Sequence, residues 1–216
     1  MKLVTSLAVI AAFTLPAVSF ANESGTQTGF AVLADVAIAD IAIDAEGNYR
    51  EESDTTTSPA LGVSYQFNEN FSVLVQYVNY GTADLIKFSD EINNTPIDLT
   101  VEGKTSAFIL AGQYMVPLAA QGWSLGGRVG LNSWNTDFAV VASTSQQSSR
   151  QKFADDSGTA LIGGVLAEYA FNEQFALTIS ADWFVNKIDD SVEFSEDGAD
   201  LDMQTGRYAV GLKYSF

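Results

Sequence analysis

The sequence predicts an all-β chain: a closed antiparallel eight-stranded transmembrane β-barrel with short periplasmic turns and long extracellular loops. Three observations predict it. The last segment alternates without a slip, with Tyr208, Val210, Leu212, Tyr214 and Phe216 large and apolar and Arg207, Ala209, Gly211, Lys213 and Ser215 between them. That is the period of a strand with one apolar face. A tight-turn motif occurs twice, as Tyr65-Gln66-Phe67-Asn68-Glu69-Asn70-Phe71 and as Tyr169-Ala170-Phe171-Asn172-Glu173-Gln174-Phe175. Finally, the charges inside the alternating segments fall on the parity opposite to the aromatics.

Composition removes several function classes. The 216 residues include no Cys and no His. Disulfides, thiolate nucleophiles and Cys-based metal sites are therefore impossible, and both the commonest catalytic base and the commonest transition-metal ligand are missing. With 27 acidic against 10 basic residues the formal net charge is -17, and no basic patch suits nucleic acid. Neither a cofactor nor a metal is expected.

Residues 1–21 read as a cleavable, Sec-type export signal. Lys2 supplies the positive start, Leu3 to Leu15 the apolar stretch, Pro16 the break, and Ser19-Phe20-Ala21 the small residues a signal peptidase inspects. Cleavage after Ala21 would leave 22–216 as the barrel domain. No later apolar run approaches the ~20 residues that a spanning helix needs.

The alternating segments fall at about 28–43, 58–67, 71–83, 103–116, 123–140, 158–171, 175–187 and 201–216. The second and third are joined by the first copy of the turn motif, and the sixth and seventh by the second. A further tight connection is expected at Pro117-Leu118-Ala119-Ala120-Gln121-Gly122, leading into Trp123. Tyr65, Phe67, Phe71, Trp123, Tyr169, Phe171 and Phe175 flank these turns and would form an aromatic girdle at the headgroup level. The remaining connections, 44–58, 84–103, 142–157 and 188–200, are long and polar. Short turns at one end and long loops at the other is the outer-membrane arrangement, with both termini on the periplasmic side.

If the aromatic parity faces lipid, mid-strand charges must face the lumen, since a lipid-facing Arg or Lys at the midplane costs about 2–4 kcal/mol. Asp35, Arg128, Glu168, Asp182, Arg207 and Lys213 all satisfy this, and Gln66 and Gln76 agree. The fourth segment is less clear: Phe108, Leu110 and Tyr114 mark one face, yet Ile109 lies on the other. Trp134 and Phe184 also fall on lumen parity, which a bulge or inward packing would accommodate.

Eight strands leave an interior just wide enough for side chains to fill. Three acids and three bases there suggest ion pairs that plug the barrel, and argue against a single-sign selectivity ring. The last loop is the most acidic, with Asp189, Asp190, Glu193, Glu196, Asp197, Asp200 and Asp202, but it carries no fixed calcium-binding spacing. It reads as a solvated loop. The third, Ser143 to Arg150, is polar and expected to be mobile.

These segments together resemble the small outer-membrane β-barrel family that includes OmpA-like and OmpX-like barrels. The carrying residues are Gly62 to Phe71 with Tyr77, Trp123 to Trp134, Ala167 to Phe175 and Gly211 to Phe216. The resemblance implies residence in the bacterial outer membrane, with its lipid and lipopolysaccharide as surroundings, and a monomeric state. It also implies that Tyr208, Val210, Leu212, Tyr214 and Phe216 form a terminal signal read by the barrel-assembly machinery. A peptidoglycan-binding domain such as full-length OmpA-like proteins carry is not expected here. The expected role is non-enzymatic, either envelope-structural or a surface interaction through the acidic loops. The alternatives are a small porin-like channel or a hydrophobic-ligand conduit, and an outer-membrane enzyme working without His.

Overall fold

The computed structural model describes residues 28–45, 52–92, 95–120, 122–143, 148–188 and 201–216. The segment 1–21, residues 144–147 of the third polar stretch and the acidic run 189–200 lie outside them. Eight strands are present: β1 (Gly29–Ala45), β2 (Glu52–Gln66), β3 (Phe71–Ile92), β4 (Thr95–Pro117), β5 (Trp123–Ser143), β6 (Ser148–Ala170), β7 (Phe175–Ile188) and β8 (Leu201–Ser215). Each pairs antiparallel with its sequence neighbours, and β1 pairs with β8 from Ala31↔Ser215 to Ala45↔Leu201, closing the barrel. Closure leaves every spanning strand with partners on both sides, the condition for crossing hydrocarbon with β-structure.

The repeated turn motif has a common cause. Asn68 Oδ1 accepts hydrogen bonds from the backbone N–H of Asn70 (3.0 Å) and Phe71 (2.9 Å). Asn172 Oδ1 accepts from Gln174 (2.9 Å) and Phe175 (2.8 Å) in the same way. An Asn side chain mimicking a turn carbonyl lets the chain reverse in few residues. Between β4 and β5, Gly122 takes φ +81° and its carbonyl accepts from Ala170 N–H at 2.8 Å, a backbone conformation that favours glycine.

At the other end the strands run far beyond the expected boundaries. β3 and β4 stay paired as far as Ile92↔Thr95, and β5 and β6 as far as Ser143↔Ser148. The 84–103 and 142–157 connections are therefore mostly hairpin, and β2 begins at Glu52 within the expected 44–58 loop. Both faces of Ser148 to Phe153 are exposed, so no apolar alternation is required there and none marks the strand. Cross-strand pairs run along this extension, Arg150 Nε to Glu102 Oε2 at 3.0 Å and Lys152 Nζ to Asp137 Oδ1 at 2.7 Å.

Burial is inverted relative to a water-soluble fold. Leu161 is 74% and Val129 66% exposed on the outer face, whereas Arg207 and Asp182 are 0% exposed inside. In β1 the outward apolar residues run from Phe30 to Ile38 before Asp40. With a rise of about 3.3 Å per residue and a tilt near 40°, that band is roughly 20–25 Å tall, a hydrocarbon thickness for a barrel. Two register irregularities in β3, at Asn79/Gly81 and Asp84/Ile86, lie just above this band. Gly81, at φ +84°, makes the first possible.

Candidate functional site

The lumen is the candidate site, and it has layers. At the turn end, Lys213 Nζ donates to both Glu168 carboxylate oxygens at 3.0 Å. These side chains are partly exposed, so this layer meets the periplasmic solvent. Above it lies a buried charge layer. Arg128 donates through Nε and Nη2 to both oxygens of Asp182. Arg207 donates to Asp35 through Nη2, and to Ser58 Oγ through Nε at 3.2 Å. Gln76 Nε2 donates to Asp35 Oδ2 at 2.6 Å, and Arg207 Nη1 stands 4.0 Å from Asp182 Oδ2. Thus all six charged residues lie inside the barrel, where each acid meets a base.

Three glycines make room for this layer. Gly164 sits across from Arg128 on one side and Asp182 on the other, Gly211 across from Asp35, and Gly62 across from Gln76. A Cβ at Gly164 would run into the Asp182 carboxylate and one at Gly211 into Asp35, while one at Gly62 would come within 3.2 Å of Gln76 Cβ. Long polar side chains thus lie over bare backbone and bridge strands that are not neighbours.

Toward the extracellular hairpins the lumen turns apolar. Ile41, Tyr80, Leu85, Ile109, Trp134, Phe138, Ile162, Phe184 and Met203 belong to one buried cluster, and the Tyr80 and Phe184 rings lie 5.4 Å apart. Trp134 and Phe184 are on lumen parity by inward packing, with no bulge. Ile109 likewise points inward, while Phe108, Leu110 and Tyr114 face out. This layer escaped sequence reasoning, although the two off-parity aromatics were its signal.

On the outer wall the turn-end aromatics touch in sequence. Tyr65 meets Phe30 and Phe67, Phe67 meets Phe71, Tyr169 meets Trp123 and Phe171, and Phe175 meets Tyr214, at centroid distances from 4.8 to 5.7 Å. A second, upper set that the sequence did not reveal pairs Tyr77 with Phe108 and Trp183 with Tyr208. Two aromatic belts bounding an apolar band match the two interfaces of a bilayer. Between Phe71, Tyr114, Val116 and Val129, the bare backbone of Gly112 and Gly127 leaves an outward apolar groove of about 460 Å³.

The sequence matches, over residues 5–216, the family described as outer membrane protein beta-barrel domain. This chain belongs to that family. The outer-membrane barrel is accordingly an integral protein of the bacterial outer membrane. No curated protein matches its sequence. Among solved structures, Ail, the attachment invasion locus protein of Yersinia pestis, is similar at 17% identity and a TM-score of 0.49, covering 87% of this chain and 99% of that one. Neisserial surface protein A is similar at 15% identity and 0.45, covering 89% and 100%. The N-terminal barrel of Pseudomonas aeruginosa OprF is similar at 14% and 0.40, covering 84% and 97%.

Two serines of the lumen are engaged with the arginines. The hydroxyls of Ser58 and Ser180 accept from the guanidinium groups of Arg207 and Arg128, which draws electron density away from oxygen instead of activating it. Among the described residues, no group of three or more carboxylates could hold a metal ion.

Proposed function

We propose that this outer-membrane barrel is a non-enzymatic, non-conducting envelope protein whose role is exerted at its extracellular hairpins. The observation that carries the reading is the two-tier filling of the lumen. A charge layer in which Arg207 is fully buried lies beneath an apolar layer that closes over it. A hydrated ion crossing this path would meet paired charges and then a stretch lined mostly by large apolar side chains, which disfavours hydration. What remains accessible is outside: the β3–β4 and β5–β6 hairpins with their exposed Glu102–Arg150 and Asp137–Lys152 pairs. Asp137 beside Lys152 raises the ammonium above the ordinary lysine range, so Lys152 keeps its positive charge at physiological pH. Rigid barrels commonly carry variable function on such projections. The reading predicts silence in planar bilayers, and stable ion-selective conductance overturns it. It also predicts that deletion alters envelope integrity, surface adhesion or resistance to external agents. A deletion strain unchanged in all three would remove the proposed role.

A further inference from the structure

The glycines of the barrel wall fall into two sets. At Gly126, Gly130, Gly164 and Gly211 an added Cβ would strike neighbouring atoms, so the packing of the wall demands them. Gly112, Gly127 and Gly163 differ. They stand at outward positions of β4, β5 and β6, on the parity of Tyr114, Val129 and Leu161. A Cβ at Gly112 would come no nearer than 3.5 Å, to the Phe71 ring, and one at Gly127 would lie 3.4 Å from the Gly164 carbonyl. At Gly163 it would meet nothing within 4 Å. The protein's own contacts therefore do not require glycine at these three places, although glycine inside a strand weakens it and often marks a close approach by something else. Gly112 and Gly163 are the cross-strand partners of Val129 on its two sides, which leaves Val129 standing clear of the wall.

The groove over Gly112 and Gly127 has a definite place. Its volume of about 460 Å³ falls in the range of ligand pockets. It runs from Gly112 and Val129 toward Phe71, Tyr114 and Val116 at the turn end. From Gly112 to Val116 the strand covers about 13 Å, or roughly 10 Å of height at a tilt near 40°, most of the periplasmic half of an apolar band about 25 Å tall. Its lower end is rimmed by the β2–β3 turn. Met115 N–H donates to the Asn70 carbonyl and Asn70 Nδ2 to the Met115 carbonyl, both at 2.7 Å, so Asn68-Glu69-Asn70 is tied to β4 between Tyr114 and Val116. That turn holds a carboxylate, the neighbouring segment 117–122 is uncharged, and neither contains Lys or Arg.

We propose that this groove is a binding site for one acyl chain of a periplasmic-leaflet phospholipid whose headgroup is the zwitterionic ethanolamine type. Position selects the source. The groove is continuous with the lipid-facing wall and lies in its periplasmic half, whereas lipopolysaccharide occupies the opposite leaflet. Charge selects the headgroup. An anionic headgroup needs bases at the surface and would find Glu69 instead, while an ethanolamine ammonium complements that carboxylate. The absent side chains at Gly112 and Gly127 let the chain lie against backbone, the close approach that small residues permit in a membrane. This site depends neither on the closed lumen nor on any role of the hairpins.

The test uses the full barrel in phosphatidylcholine vesicles doped with spin-labelled phosphatidylethanolamine or phosphatidylglycerol. With the ethanolamine probe, the motionally restricted fraction of wild type should exceed that of Gly112→Val with Gly127→Val by one lipid per barrel. Gly163→Val, equally outward but outside the groove, should match wild type. Equal fractions in wild type and the double variant would mean unspecific surrounding lipid only, against the proposal. An excess that is larger for the glycerol probe would overturn the headgroup assignment. A wild type that cross-links as a dimer, where the double variant stays monomeric, would give the groove to a second copy and overturn the lipid. If the double variant does not fold, native mass spectrometry of wild type extracted from its own membrane decides. One retained phosphatidylethanolamine supports the site, and an anionic phospholipid or none overturns it.

Discussion

Replacing Asp182 by Asn tests whether the charge layer is a balanced unit. The Asp182 side chain is 0% and its partner Arg128 4% exposed, while Arg207 Nη1 is 4.0 Å from the same carboxylate. Removing that charge leaves the Arg128 guanidinium without its carboxylate, while Arg207 keeps Asp35. Loss of one partner of a buried pair costs about 3–5 kcal/mol, because the remaining charge is stranded. With a urea slope of about 2 kcal/mol/M, the unfolding midpoint should fall by about 2 M. The assay is equilibrium unfolding in phospholipid vesicles followed by tryptophan fluorescence, to which the lumenal Trp134 and the outward Trp123 and Trp183 all contribute. The companion variant replaces both partners with apolar residues, Asp182→Leu with Arg128→Met. It should regain most of the loss, since exchanging a buried pair for apolar groups is often close to neutral. The double-mutant cycle then isolates the coupling. A midpoint for Asp182→Asn within about 0.5 M of wild type, at that slope, would refute the argument that these charges are buried and interdependent.

Three further outcomes follow from the same geometry. Val210→Arg, on the outward face between Val36 and Ile179, should cost about 2–4 kcal/mol in vesicles, whereas Gln204→Arg on the same face nearer the outer interface should cost about 0–1 kcal/mol; equal costs would contradict the assigned membrane band. Phe138→Ala combined with Phe184→Ala removes two rings of the apolar layer and should produce a measurable leak in planar bilayers where the wild type is silent. Continued silence in a folded, heat-modifiable sample would place the barrier elsewhere. Gly81→Ala adds a side chain where φ is +84° and Thr56 Cβ would lie 3.2 Å away, so it should destabilise by about 1–2 kcal/mol, read from the same urea titration.

Much of the fold is legible in one dimension because the bilayer imposes a rule on each strand separately. A strand crossing hydrocarbon shows apolar residues at every second position whatever its neighbours do. This is why β8, with Tyr208 to Phe216 outward, can be read by eye. The same rule sorts Asp35, Arg128 and Arg207 to the inside without knowledge of their partners. Above the membrane it lapses. Ser148 to Phe153 of β6 are wet on both faces, and their strand character comes from pairing with β5, which no local pattern encodes. The upper part of β3 is hidden for another reason: the irregularity at Gly81 shifts the parity, so that Ala83 and Leu85 point inward after Val78 and Tyr80 have done so.

Within the membrane band, parity therefore determined from the residues alone which side of most strands faces lipid, and the repeated motif marked the tight turns at one end of the barrel. Only the closed tertiary structure decided what the inward residues do to one another. The union of Arg128 with Asp182 over Gly164, and of Gln76 and Arg207 on Asp35, joins strands separated by other strands. So does the apolar layer of Tyr80, Trp134, Phe138, Phe184 and Met203. Period and composition act along the chain, whereas these contacts depend on barrel diameter, strand stagger and the space left by facing glycines. Those are properties of the ring, and they exist only once β1 has met β8.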